Sequence, residues 1–233
     1  KMMKNKIMKS ILFRDKCFIS FLFVLGFLLL FSVSSVSADE YYFNSDNITN
    51  ESFQGVIDNY TPDEVIINLD DGEYSLGQIN VTRNATIVGK NHNVNITGSG
   101  SGVLFNITNS SVRIINLTIT GYTSAIVGNS SDLTVTGNNI NTTGISINIT
   151  SSGDNLTNIV IKDNIIISGI SNTDYGAVFV NANGKAISFV SFINNSIRGN
   201  GASNSNGVRI NSKGINNLNF DGNNITGTYN GIY

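Results

Sequence analysis

Carboxylates are the groups in this sequence best suited to catalysis, and they are few and scattered. Asp132, Asp154, Asp163, Asp174 and Asp221 stand singly, far apart along the chain. Cleaving a glycosidic bond takes a carboxylic acid and a second carboxylate about 5 to 9.5 Å apart, and no Asp-Asp pair follows Asp174. Asp70 and Asp71 are adjacent, but Gly72 behind them makes the run a turn signal. His92 is the single histidine, in Asn91-His92-Asn93, and reads as a solvated turn residue. Cys17 is the single cysteine, so the chain beyond it carries no disulfide, thiol nucleophile or Cys-based metal site. These residues give no catalytic, cofactor-binding or metal-ligating assignment, and no cofactor is expected. The net charge of −2 leaves no basic footprint for nucleic acid.

Binding chemistry is better represented. Tyr122, Tyr175 and Tyr229 fall in segments of variable length between short apolar runs, and Asn172, Asp174, Asn200, Asn204 and Asn206 surround them. Tyrosine offers a flat apolar ring with a polar tip, suited to stacking on a sugar or filling a partner's pocket. Tyr122, Asn172, Asp174, Tyr175, Asn204 and Tyr229 are therefore the candidate ligand-binding residues, expected on one face. The motif Asn-x-Ser/Thr occurs about fifteen times. In a secreted protein each is a possible glycan acceptor, and Asn47, Asn80, Asn95, Asn148 and Asn224 are the candidates singled out.

Four segments show what must position these residues: Val135-Thr136-Gly137-Asn138-Asn139-Ile140, Ile161-Lys162-Asp163-Asn164-Ile165-Ile166, Phe192-Ile193-Asn194-Asn195-Ser196-Ile197 and Phe220-Asp221-Gly222-Asn223-Asn224-Ile225. Each reads apolar, any, small or polar, Asn, any, Ile. The final Ile recurs at intervals of about 26 to 31 residues, the period of a stacked repeat. Alternating Ile, Val and Thr bounded by Asn and Gly is a strand pattern. The Asn in register suits a bend between two strands, because it tolerates a left-handed backbone. Stacked Asn side chains can also form an amide ladder. One such coil cannot bury its apolar face, but stacked coils can. The expectation is a parallel β-helix over residues 63–233, with Val135, Ile140, Ile161, Ile166, Phe192, Ile197, Phe220 and Ile225 pointing inward in two columns.

The start of the chain has a different texture. Lys1, Lys4, Lys6, Lys9, Arg14 and Lys16 precede an apolar run from Phe18 to Phe31, and Val36-Ser37-Ala38 supplies small residues before a cut. Residues 1–38 read as a signal peptide, implying a secreted or cell-surface location. Residues 39–62 read as a cap: Phe53, Val56, Ile57 and Tyr60 have helical spacing, Thr49 or Asn50 can start the helix, and Thr61-Pro62 stops it. Tyr229-Asn230-Gly231-Ile232-Tyr233 stops within a coil, so this stretch is expected to be the N-terminal part of a longer protein.

The succession of helix, Ile-rich strand, Asp70-Asp71-Gly72-Glu73-Tyr74, Ile79-Asn80-Val81, Ala85-Thr86-Ile87-Val88-Gly89 and Asn-Ile repeats resembles the right-handed parallel β-helix proteins of the pectate-lyase-like class. Within that class it is most similar to the adhesin-like surface proteins of methanogenic archaea. The resemblance implies an all-β solenoid with a short N-terminal capping helix, displayed at the surface and engaging carbohydrate or another cell without catalysis. Membrane contact is expected only through the signal segment or an anchor outside this chain. The alternatives are a polysaccharide lyase or hydrolase and a purely structural stalk. For the first, Asn172-Thr173-Asp174 and Arg209-Ile210-Asn211 are similar to two signatures of pectin-hydrolysing β-helices. This chain departs from them with Asn211 in place of a Lys and Gly199-Asn200-Gly201 where a Gly-His-Gly is sought.

Overall fold

A strand of alternating apolar and polar residues has one face to bury, and three such strands joined by bends can bury it together only by enclosing a common interior. The computed structural model, which describes residues 38–59, 63–108, 110–201 and 205–233, shows that arrangement. The signal-peptide expectation falls outside these residues but for Ala38, as do the helix stop at Thr61-Pro62 and the candidate Asn204. The described residues form three sheets of eight, seven and seven strands, stacked in chain order. All pairings are parallel. Sheet I runs from Asp39–Phe43 to Gly214–Asp221, sheet II from Gly72–Ser75 to Asn224–Thr226, and sheet III from Ile79–Val81 to Asn230–Ile232. The chain visits I, II and III in turn, so the fold is a parallel β-helix.

The two expected internal columns are present. Val135, Ile161, Phe192 and Phe220 are successive partners in sheet I. Ile140, Ile166, Ile197 and Ile225 are successive partners in sheet II. The first three of each column are fully buried, and Phe220 and Ile225 on the last rung are half-buried against the same core.

At the corner from sheet I to sheet II the amide ladder forms with a different division of labour from that expected. The left-handed residue is the one before the Asn: Gly137, Asp163, Asn194 and Gly222 all have positive φ. That residue makes the bend and frees the next side chain to point inward. Asn138, Asn164 and Asn195 are buried. Each donates through Nδ2 to Oδ1 of the next Asn, at 3.0, 3.0 and 2.8 Å, the last reaching Asn223.

The first rung is closed by the helix α1, Asn50–Asp58. Thr49 caps it in a reciprocal pair with Ser52, and Phe53 and Ile57 are buried. Phe53 stacks on Phe43 at 6.3 Å and lies 6.5 Å from Phe105. The Gln54 side chain then does the work of a strand. Its Oε1 accepts from Asn80 N at 2.8 Å and its Nε2 donates to Asn80 O at 3.0 Å. Both backbone groups on the edge of the first sheet III strand are satisfied, as an exposed edge requires. The segment before α1 holds one element that the helical spacing did not suggest, the strand Asp39–Phe43 that opens sheet I.

Candidate functional site

The corner from sheet II to sheet III carries the loops of variable length. The longest described one joins Ile165–Ser168 to Val178–Asn181. Its tip is an Asx turn, in which Asp174 N donates to Asn172 Oδ1 at 2.8 Å. The loop is tied down by Asn206, one rung on and fully buried. Asn206 Nδ2 donates to Thr173 O at 2.9 Å and to Tyr175 O at 2.6 Å, and its Oδ1 accepts from Asn230 Nδ2 at 2.9 Å. Arg209 Nη1 donates to Thr173 O as well.

This clamp holds Tyr175 over the outer face of sheet III. Its ring meets Phe179 edge-on at 5.2 Å. Phe179 pairs in register with Arg209, and the Arg209 guanidinium lies 4.5 Å over the Tyr233 ring. An aromatic, a cation and a second aromatic thus follow one another up the wall. Tyr229 N donates to Ser205 O, while Ala177 N donates to Asn206 O. By this register Tyr175 and Tyr229 hold the same place on the corner, two rungs or about 10 Å apart. Both are exposed, at 37% and 67%. Asn172 and Asp174 are exposed on the loop beside them.

Tyr122 does not join them, and its candidacy as a ligand contact is corrected. It is only 2% exposed, and its hydroxyl donates to Leu76 O at 2.6 Å inside the solenoid. Strict alternation along Leu117–Tyr122 would turn it outward. Gly121, at φ +74, interrupts the alternation, and the register shifts at Asn141/Thr142 opposite. Gly98 leaves room for the ring, since a Cβ there would stand 2.6 Å from Tyr122 Cε1.

Burial pushes the Tyr122 phenol up to about 12. A phenol raised in the fold above its unfolded value of about 10 contributes stability that is complete below pH ~10 and lost as pH rises through ~12. Tyr122→Phe is therefore expected to cost about 1 kcal/mol at neutral pH, from the hydrogen bond to Leu76, and to flatten the alkaline fall. Urea midpoints at pH 8, 10 and 11.5 test this, and an alkaline fall as steep as the parent's would contradict it.

The five glycan candidates lie on outward or loop positions. Asn80 and Asn148 stand on the outer face of sheet III, Asn95 and Asn224 on that of sheet II, and Asn47 in the turn before α1. Several are engaged locally: Asn95 Nδ2 donates to Glu73 Oε1 at 2.7 Å, and Asn80 Oδ1 accepts from Asn106 Nδ2 at 3.1 Å. Among the described residues no group of three or more His, Cys, Asp or Glu is placed to hold a metal ion.

A second feature escaped the sequence reading. At the corner from sheet III to sheet I, three serine pairs lie on successive rungs: Ser110-Ser111, Ser130-Ser131 and Ser151-Ser152. The first serine of each pair is buried, and both serines line a cavity of about 400 Å³. Asn-Ser-Ser at 109–111 and again at 129–131 was the available signal. No family model, no curated protein and no solved structure matches the chain.

Proposed function

We propose that this chain is a non-catalytic attachment module, secreted or displayed at the cell surface, that engages a glycan or a partner surface through the corner between sheets II and III. The observation that carries the reading is the placement of Tyr175 and Tyr229. Two exposed rings share one position on the corner, about 10 Å apart, above loops that a buried asparagine clamps. Rings held by a stiff frame lose little freedom on binding, which favours affinity. Arg209 and Tyr233 extend the same surface.

The contact between Arg209 and the Asn172–Asp174 turn favours a second, hydrolytic reading, because it brings the two enzyme-like triplets together. In that arrangement, though, the guanidinium is spent on Thr173 O and the Tyr233 ring. The test is a glycan array followed by a cell-attachment assay. Tyr175→Ala with Tyr229→Ala should lower retention about tenfold or more and leave the unfolding temperature within a few degrees. Retention that survives the double change removes the corner from consideration. Release of reducing ends from polygalacturonate by the parent chain would put the hydrolytic reading in its place.

A further inference from the structure

We propose that the serine-lined cavity at the corner between sheets III and I is a separate binding site for a neutral oligosaccharide. It shares no residue with the tyrosine corner and does not depend on the function assigned there. Among the described residues of its lining, Leu156 is the one apolar side chain and none is Lys or Arg. Arg83, adjacent to the lining residue Asn84, is itself buried and outside it. The volume lies within the range of small-molecule sites.

The chemistry of the walls matches a polyol. Sugar hydroxyls both donate and accept. Serine hydroxyls and asparagine amides answer in both senses, and a carboxylate can accept from two neighbouring hydroxyls in charge-assisted bonds. Asp132 and Asp154 supply the carboxylates. The walls are already fixed before a ligand arrives. Ser130 Oγ accepts from Ser110 N at 3.1 Å, Ser131 Oγ from Thr157 N at 3.1 Å, and Asp132 Oδ1 from Asn158 Nδ2 at 2.7 Å. Preorganised polar groups of this kind lower the cost of ordering on binding. With two carboxylates and no cation among the described lining residues, an anionic sugar is disfavoured.

The second observation is independent and lies further up the same edge. Asp132, Asn158, Phe189 and Asn217 occupy equivalent positions on four successive rungs, and all four have positive φ, between 50° and 60°. Asn and Asp visit this region readily, but a bulky aromatic does so at a cost. Phe189 holds φ +56 while 54% exposed, so its ring gains little from the core in return. The bend recurs on all four rungs, so the fold uses the backbone conformation but not the aromatic, and the choice of Phe there points to use elsewhere. Phe189 stands two rungs, about 10 Å, beyond the cavity wall residue Asp132. That is a suitable distance for an aromatic platform under the next units of a chain whose first unit sits in the cavity.

Titration calorimetry of the chain with maltotriose, cellotriose, N,N′,N″-triacetylchitotriose and trigalacturonate, in EDTA, tests the proposal. At least one neutral trisaccharide should bind with a Kd on the order of 1 mM or tighter, and trigalacturonate should not. Asp132→Asn with Asp154→Asn should weaken it tenfold or more. Asn at 132 keeps the left-handed backbone accessible, and a thermal scan checks that the fold survives. Phe189→Asn separates function from packing. It should raise the unfolding temperature by relieving the backbone and yet weaken the trisaccharide about fivefold or more. The proposal is overturned if no neutral probe binds at 10 mM, if trigalacturonate binds better than the neutral probes, or if the aspartate and Phe189 variants bind as the parent does. Loss of the calorimetric signal in Tyr175→Ala with Tyr229→Ala would likewise overturn it, by placing the ligand at the other corner.

Discussion

Asn164→Ala is expected to lower the free energy of unfolding by about 3 to 5 kcal/mol, since each buried polar group left without a partner costs about 1–3 kcal/mol. The Asn164 amide uses its whole bonding capacity. Nδ2 donates to Val135 O at 2.8 Å and to Asn195 Oδ1 at 3.0 Å. Oδ1 accepts from Asn138 N at 2.9 Å and from Asn138 Nδ2 at 3.0 Å. Truncation strips partners from both the rung before and the rung after, in a place water does not reach. The same change at Asn139, which points outward from sheet II and is exposed, should cost well under 1 kcal/mol. Asn223→Ala, at the half-buried end of the ladder, should fall between them. Urea unfolding of the three variants checks the order, and equal costs at Asn164 and Asn139 would show that the ladder adds nothing.

Phe192→Ala should cost a similar amount by another route, about 3–5 kcal/mol for deleting a buried aromatic ring and leaving a hole. Phe192 is fully buried, and its ring stacks on Phe220 at 4.6 Å and 4°. The strands on either side are locked in register with their neighbours, so the walls have little freedom to close on the void. In a domain of this size that loss corresponds to a drop of roughly 6 to 20 °C. Phe220→Ala removes the same ring from a half-buried rung and should cost distinctly less. Should thermal scans find Phe220→Ala as harmful as Phe192→Ala, the core is not graded along the solenoid as its burial indicates.

The periodic part of the chain was legible because two different signals coincide there. Val135, Ile161, Phe192 and Phe220 carry the strand period, and Asn138, Asn164, Asn195 and Asn223 carry the rung period. What alternation could not reveal was where it breaks. One left-handed glycine, Gly121, moves Tyr122 from the surface to the core. The start of each sheet III strand was equally hidden, because the loop before it has its own length: Val178 pairs with Ile147. The tyrosine corner was legible through loop length at Tyr175 and Tyr229. The serine corner was not, because Ser110, Ser130 and Ser151 look like turn residues until the fold brings them to one corner and buries them.

The ladder has a mechanical consequence for a chain held at one end and pulled at the other. Its links, spaced by 26, 31 and 28 residues, join each rung only to its neighbours. Under tension along the axis the rungs are loaded in series, so the terminal rung yields while those behind it stay closed. Each yielding rung frees a length that is fully extended at about 3.4 Å per residue, or roughly 90 to 105 Å. A tether built this way lengthens in steps and absorbs work at each one. The rungs still closed keep their loops, and whatever those loops hold, in place.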